Sequence, residues 1–262
     1  MLSLDFRRGT DRTVLAHAHA GPLRVQKPLY PEGDALCHAV VIHPPGGIAG
    51  GDELRIDATV HRRAQALITT PGAARWYKAN GDAAAQRVQL RVQGRAEWLP
   101  QEAIVFDAAE VDSSIDIDVA ADGAMIGWDI VVLGRTAAGE SFDRGRFAQS
   151  IRLHDAGRLQ WFERTRLLGG DPLLDSPVGL GGKPVFGCLW AIGPAWTDAQ
   201  LDALREKLPP AAPITRLAPR LLVARATGAT AAAVRRDLEA VWREVRPIAL
   251  DRAALAPRVW AT

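Results

Sequence analysis

Alternating apolar and polar residues are the commonest pattern in the first two-thirds of the chain. Leu54–Val60, Val88–Val92 and Ile115–Val119 each place apolar side chains at every second position. This period is typical of a β-strand that buries one face. Further segments that the pattern predicts to be strands are Ala66–Thr70, Ala96–Leu99, Ile130–Leu133, Phe147–Leu153, Leu159–Glu163 and Leu221–Arg225.

Short turn sequences separate several of these strands. They are Asn80-Gly81-Asp82, Gln93-Gly94-Arg95, Asp122-Gly123 and Asp155-Ala156-Gly157, and each supplies a residue that tolerates positive φ. Because short connections usually join neighbouring strands, we expect consecutive strands to pair in the antiparallel direction.

Two helices are predicted in the C-terminal region. The sequence Thr197–Gln200 is a capping box, and the leucines within Leu201–Leu208 that follow share one helical face, before Pro209 ends the helix. A second apolar face recurs at helical spacing from about residue 230 to residue 245, where we expect Pro247 to end the helix. Strands and helices do not alternate in the first two-thirds, which argues against a doubly wound or βα-barrel enzyme. We therefore predict one mainly β domain over residues 1–262.

The composition narrows the class of protein. Hydrophobic residues make up 48% of the chain and charged residues 24%, as in ordinary globular proteins. A formal net charge of +2 gives no basic field for nucleic acid. Two cysteines do not make a disulfide framework, residues 1–9 contain no apolar signal segment, and the apolar run Val185–Trp196 is too short to span a membrane. We expect a cytoplasmic protein.

Motifs of the common enzyme classes are missing from the sequence. Gly179–Pro184 lacks the spacing of a phosphate-binding loop and has Pro184 in place of the Ser or Thr that would reach magnesium. Gly139–Asp143 ends in Asp rather than Gly, so it is not a nucleophile elbow. No CxxC or HExxH sequence occurs. These absences argue against the common catalytic classes.

Several residues could carry metal or acid–base chemistry. The histidine and cysteine candidates are His17, His19, Cys37, His38 and His43, whose side chains suit nickel, copper or zinc. The carboxylate candidates are Asp52, Glu102, Asp107, Glu140 and Asp143, any two of which could form an acid–base pair. The ordinary alternative for the carboxylates is that they cap turns or pair with Arg135, Arg144 and Arg146.

The sequence HPPGGIAGGD (His43–Asp52) has an unusual backbone chemistry. Its two prolines fix φ, and four of the next six residues are glycines that can adopt conformations closed to other residues. One interpretation is a tight bend that links two sheets. The other is a backbone surface that another chain, or the path of a solvated ion, can approach closely.

Five sequence blocks in order resemble the urease accessory protein UreD family, which is also called UreH. The blocks are HPPGGIAGGD (43–52), TTPGAARWYKANG (69–81), EWLPQEAIVFDAAEVD (97–112), GRTAAGESFDRG (134–145) and PRVW (257–260). The resemblance implies a multi-stranded, β-helix or sandwich-like scaffold with two C-terminal-region helices. It also implies an accessory protein and not an enzyme.

The resemblance further implies a role in nickel insertion. Members of the family act with UreF and the GTPase UreG on urease apoprotein, and GTP hydrolysis by UreG agrees with the missing phosphate-binding loop here. Nickel would cross the protein transiently, with no tightly bound cofactor, because oxygen ligands hold such an ion weakly. We hypothesise that this path includes His43, Asp52, Glu102, Glu140 and Asp143.

A second hypothesis concerns the surface that meets these partners. Trp76, Tyr77 and Lys78, with Arg258 and Trp260 near the C-terminus, are of the types that dominate interfaces. Trp76 and Trp260 could instead be core residues. Two other functions stay open at this point: a metal-dependent β enzyme that uses His43, Asp52 and Glu102, and a carbohydrate-binding module with exposed tryptophans.

Overall fold

The structure is a computed structural model that describes residues 1–261, so the last residue of the predicted domain, Thr262, lies outside the described residues. Within the described part, the chain forms 17 β-strands and two α-helices. The strands are β1 (Leu2–Arg8), β2 (Thr13–His19), β3 (Arg24–Val25), β4 (Leu36–Ile42), β5 (Glu53–Val60), β6 (Gln65–Thr69), β7 (Ala74–Trp76), β8 (Ala84–Val92), β9 (Arg95–Leu99), β10 (Ala103–Val105), β11 (Glu110–Val119), β12 (Ala124–Leu133), β13 (Arg146–Asp155), β14 (Arg158–Leu168), β15 (Val185–Ile192), β16 (Ile214–Ala218) and β17 (Leu221–Gly228). The helices are α1 (Asp198–Lys207) and α2 (Ala231–Leu250). The prediction of a mainly β protein with two helices in this region is confirmed.

Two stacked sheets form the body of the molecule. A seven-stranded sheet has the order β14-β13-β11-β8-β5-β1-β2, and a ten-stranded sheet has the main order β16-β17-β15-β12-β9-β6-β4-β3, with β7 and β10 attached beside it. From β4 to β13 the chain crosses repeatedly between the two sheets, as in a β-solenoid. Strands next to each other therefore come from successive coils and run parallel.

The expectation of antiparallel neighbours is wrong for this coiled part. The turns at Gln93–Arg95 and Asp122–Gly123 carry the chain from one sheet to the other, so they join strands that do not pair. The expectation is right at Asp155–Gly157, where Ala156 (φ 49°) and Gly157 (φ 77°) form the turn of the antiparallel pair β13–β14. A short turn thus fixes a change of direction, but it does not fix the hydrogen-bonding partner.

Apolar side chains form two cores. The larger core lies between the two sheets, and the alternating residues of β5, β8 and β11 point into it. The smaller core lies between the ten-stranded sheet and the helices, where α2 packs on β12, β15 and β17. Burial of these apolar faces is the main stabilising contribution to both layers.

The two helices begin as the sequence predicts. Thr197 and Gln200 form the capping box of α1, which ends before Pro209. The prediction that Pro247 ends the second helix is wrong, because α2 continues to Leu250 and ends at Asp251 in a left-handed conformation (φ 53°). The proline removes one backbone donor, but the buried Arg246 and Leu250 on either side hold the last turn against the sheet. No helix within residues 1–261 is long and apolar enough to cross a membrane.

Candidate functional site

Three cavities lie in series between the two sheets. The first, about 320 Å³ in volume, is lined by His43 and Pro44 after β4 and by Gln86 of β8. The second, about 70 Å³, shares Gln86 with the first cavity. The third, about 320 Å³, shares Asp129 and Gln149 with the second and reaches β14 and β17. The cavities therefore follow one another from the loop after β4 to the far end of the sheets.

The lining of these cavities is polar at intervals within an apolar core. The polar residues that line the second and third cavities include Thr70, Gln86, Gln101, Ser113, Asp129, Gln149, Glu163, Thr165, Cys188, Arg225 and Thr227. Nε2 of Gln101 and Nε1 of Trp98, both in the wall of the second cavity, have no hydrogen-bond partner within the described residues. Buried donors without a partner are unfavourable, so these atoms are suited to bind water or a hydrated solute.

Asp129 is the carboxylate at the junction of the second and third cavities. It lies deep between the sheets, yet its surface is only half-buried because the side chain faces cavity space. Burial raises the pKa of Asp129, although the Gln149 side-chain amide donates to it at 2.9 Å and opposes that shift. A cation in the cavity would favour the ionised form of this carboxylate.

Glu163, Arg225 and Cys188 lie in the wall of the third cavity. Arg225 donates to the Glu163 carboxylate, which neutralises the cation locally. Burial raises the pKa of the Cys188 thiol well above its usual value. Cys188 therefore remains a thiol, which is a poor metal ligand compared with a thiolate.

His43 stands at the start of this series. Burial lowers the pKa of the imidazole, while the negative charge of Asp52 acts in the opposite direction. The neutral imidazole, which is the form that binds metals, is therefore favoured at neutral pH. Of the five residues predicted from the sequence to line the nickel path, His43 is the one that lines a cavity of this series.

The HPPGGIAGGD segment folds back on its own chain. Ile48 pairs with Trp76 in the manner of a short parallel strand, with Ile48 N donating to Arg75 O at 2.7 Å. A Cβ at Gly47 would lie 2.2 Å from Cε2 of Tyr77. At Gly50, a Cβ would lie 2.7 Å from the Asp82 carbonyl oxygen. The close approach inferred from the glycines is present, and it is an approach by the TTPGAARWYKANG block and the following Asp82 of the same molecule.

The predicted acidic path residues lie in three separate places. Asp52 is exposed and closes its own loop by accepting from the Ala49 amide at 2.9 Å. Glu102 forms an ion pair with Arg235 of α2. Glu140 and Asp143 line a further pocket of about 390 Å³, which shares Leu180 with the third cavity but lies beyond the three cavities described above. Within residues 1–261, no three His, Cys, Asp or Glu side chains form a group that could hold a metal, so His43, Asp52 and Glu102 do not form one.

Arginine pairing explains much of the acidic cluster around Glu140. Arg135 binds Glu140 at 2.6 Å and Arg144 binds Asp107 at 2.6 Å. Burial alone would raise the pKa of Asp107, but hydrogen bonds from the side chain and backbone of Arg144 lower it below the usual value. Arg146 pairs in the same way with Glu110 at 3.2 Å. The ordinary alternative, turn capping and ion pairing, thus describes these contacts.

The predicted interface residues differ in exposure. Trp76 is buried, and Tyr77 is half-buried with its ring edge-on to Phe106 at 5.2 Å. Trp260 packs against Trp128 at 5.1 Å and donates from Nε1 to Thr69 at 2.8 Å, so it belongs to the smaller core. The core alternative therefore describes Trp76 and Trp260. Lys78 and Arg258 are exposed, and their contact with a partner stays a prediction.

The sequence reasoning missed the polar residues of the cavity walls. Asp129 could have been found, because it is the one charged residue in the strand Ala124–Leu133. Gln149 and Glu163 gave no comparable signal, since polar residues occur on both faces of β13 and β14.

Comparison with known proteins identifies the family. A family model described as UreD urease accessory protein matches residues 1–261. A protein of Azoarcus sp. (strain BH72) named urease accessory protein UreD is 46% identical over 265 residues, covering 100% of this chain and 93% of that protein. Proteins of the same name from Delftia acidovorans and Dechloromonas aromatica are each 45% identical over 100% of this chain and over 94% and 93% of their own lengths. The chain belongs to the UreD urease accessory protein family and is an accessory scaffold rather than an enzyme.

Proposed function

We propose that this chain acts in urease maturation by conducting nickel through its interior to urease apoprotein, as part of a cytoplasmic complex with UreF and the GTPase UreG. The observation that carries the proposal is the series of three cavities, which share lining residues from His43 to the third cavity at β14 and β17. The five sequence blocks and the family match support the role in maturation.

The ligands along the series suit an ion that must move on. His43 offers one neutral imidazole at the first cavity, and the following positions offer amide and hydroxyl oxygens such as those of Gln86 and Ser113. Isolated oxygen donors bind nickel weakly, whereas a cluster of His and Cys would retain it. Asp129 supplies a single negative charge at the narrow second cavity, where a divalent cation needs it most.

The charge of the third cavity does not repel a cation on its way out. The lining contains the carboxylates of Asp129 and Glu163 and one guanidinium, that of Arg225, which is paired with Glu163. The formal balance is therefore negative when both carboxylates are ionised. Cys188 is held as a thiol and does not trap the ion. Energy from GTP would come from UreG, because this sequence has no phosphate-binding loop.

The test uses two neighbouring serines of β11. Ser113 lines the second cavity, and Ser114 lies on the other face of the same strand. We expect Ser113→Phe to fill the cavity and to lower the nickel content of co-expressed urease strongly, while Ser114→Phe leaves it near the wild-type value. Pull-down of UreF, UreG and urease would establish that both variants still assemble. Normal nickel content with assembled Ser113→Phe would contradict the conduit.

A further inference from the structure

The outer strand β14 of the seven-stranded sheet has a free edge. Within residues 1–261, β14 pairs only with β13, and it is 11 residues long. Half of the peptide groups of such a strand point away from its single partner. A long free edge is a template for pairing with another chain. The edge is therefore a place where an extended segment can bind by strand addition.

The side chains on the outer face of this edge are cationic and apolar. Phe162, Arg164 and Arg166 lie opposite Arg152, Ser150 and Ala148 of β13, which places all three on the face away from the cavities. Phe162 is 48% exposed. Among the described residues, Arg164 and Arg166 have no ion-pair partner, and their cross-strand neighbours Ser150 and Ala148 carry no charge.

The same face of the inner strands is arranged differently. Arg146 pairs with Glu110 at 3.2 Å, Arg152 pairs with Asp116 at 3.3 Å, and the acidic residues belong to β11. Arg146 and Arg152 of β13 therefore have carboxylate partners on the next strand, β11. Carboxylate partners for Arg164 and Arg166 would have to lie on a strand added beyond β14.

From this arrangement we infer that the edge of β14 binds an extended, acidic segment of a partner protein by strand addition. Residues two apart on an added strand point to the same face. Two carboxylates at positions j and j+2 would lie beside Arg164 and Arg166, and an apolar residue two positions further would lie beside Phe162. The recognised pattern is thus acid-x-acid-x-apolar, in one direction or the other along the segment.

A second copy of this chain is the less favourable occupant. Antiparallel pairing of β14 with itself would bring the arginines of one copy close to those of the other, and like charges across strands are destabilising. An acidic segment would instead place opposite charges across the paired strands, which is stabilising. The edge also borders the third cavity, which is lined by Glu163, Thr165 and Leu167 of the same strand. A segment bound here would lie next to the cavity series, although the inference does not depend on the nickel path.

The test measures binding of a synthetic peptide to the full chain. The probe has the length of β14, 11 residues, and carries the pattern glutamate-x-glutamate-x-leucine at its centre, with threonine or valine at the other positions. We expect binding that weakens with salt and slows hydrogen exchange in residues 158–168. A peptide with lysine in place of glutamate should bind at least about tenfold more weakly, because it places like charges opposite the arginines.

Two double variants distinguish binding at the β14 edge from a general effect of the protein's net charge. Arg164→Glu with Arg166→Glu reverses the edge, whereas Arg55→Glu with Arg91→Glu makes the same change of net charge on exposed positions of β5 and β8. We expect the first to abolish peptide binding and the second to leave it within about twofold, since only the first removes the facing charges. Equal loss in both variants, no binding of the glutamate peptide, or protection elsewhere than β14 would overturn the inference. Dimerisation of the free chain through residues 158–168 would overturn it in favour of a second copy.

Discussion

Arg246 of α2 and Glu97 of β9 form a completely enclosed ion pair, with Nη2 to Oε2 at 2.8 Å and side chains that are 0% and 1% exposed. Trp242 donates from Nε1 to the same carboxylate at 2.8 Å. Arg246 also binds Glu32 at 2.7 Å, and Glu32 lies 3.0 Å from His38. This network joins the last turns of α2 to the ten-stranded sheet.

Removal of one partner should be strongly destabilising. Glu97→Ala removes one of the two carboxylates that pair with the buried positive charge of Arg246. We therefore expect the free energy of unfolding to fall by about 3–5 kcal/mol. Denaturant unfolding measures the change. Glu53→Ala, at an exposed position, is the matched control and should change little. A loss of under about 1 kcal/mol for Glu97→Ala would mean that the surroundings relax around the free guanidinium.

The same network predicts a dependence of stability on acid. Burial would raise the pKa of Glu32, but hydrogen bonds from His38 and Arg246 lower it to about 2, against an ordinary value of 4.5. Because the folded-state pKa is depressed, the contribution is complete above the unfolded-state pKa and is lost as the pH falls from about 5 towards 2. We expect Glu32→Gln to make the free energy of unfolding less dependent on pH in this range. Parallel curves for variant and wild type would contradict the assignment.

Gly47 is predicted to be intolerant of any side chain. Gly47→Ala would place a methyl group against the Tyr77 ring, and we expect a loss of about 1–3 kcal/mol of stability from overpacking. Gly72→Ala is the control, because no atom lies within 4 Å of a Cβ at that position. Tyr77→Ala should relieve the contact, so the double variant should lose less than the sum of the single losses. Additive losses would show that the ring is not the obstacle.

Trp260 should contribute to folding rather than to an exposed interface. Trp260→Ala removes its contacts with Trp128 and Trp242 and the hydrogen bond to Thr69. We expect a loss of about 2 kcal/mol, below the value for a fully buried tryptophan, because the residue is only half-buried. Thermal unfolding checks this, with the exposed Arg258→Ala as the control. Unchanged stability together with loss of UreF in a pull-down would favour the interface hypothesis instead.

Asp129 should be required for nickel delivery if the proposed path is correct. Asp129→Asn retains an acceptor for Gln149 but removes the charge at the second cavity. We expect lower nickel content in co-expressed urease, with a complex of normal composition. Asp118→Asn, on the exposed face of β11, removes the same charge elsewhere and should have no effect. Equal nickel content in both would remove Asp129 from the path.

The sequence predicts the layers of this fold better than their connections. Alternation in Leu54–Val60 and Ile115–Val119 identifies strands with one buried face, and both are strands in the structure. A period of two says nothing about which strand lies alongside, so the parallel coils could not be predicted from turns such as Asp122–Gly123. The resemblance to the UreD family implied a β-helix or a sandwich-like scaffold and left the choice between these two open.

The candidate site was harder to predict, for a physical reason. The exposed Asp52 and the paired Glu102 stand beside distinctive glycine-rich or proline-containing sequences. The cavity residues Gln86 and Gln149 are single polar residues within ordinary strands. Their importance depends on facing strands of the opposite sheet, which is information that a linear pattern does not contain.

The coiled arrangement of the strands also sets the length of the cavity series. Each sheet gains one strand for each coil, and neighbouring strands are spaced by roughly 4.8 Å. The cavities follow this direction from β4 and β5 to β14 and β17. The distance between the two ends of the series therefore grows with the number of strands in each sheet. Within the coiled part, β4–β13, the insertion of one coil would move the ends apart by a single strand spacing while each coil kept its own outer surface.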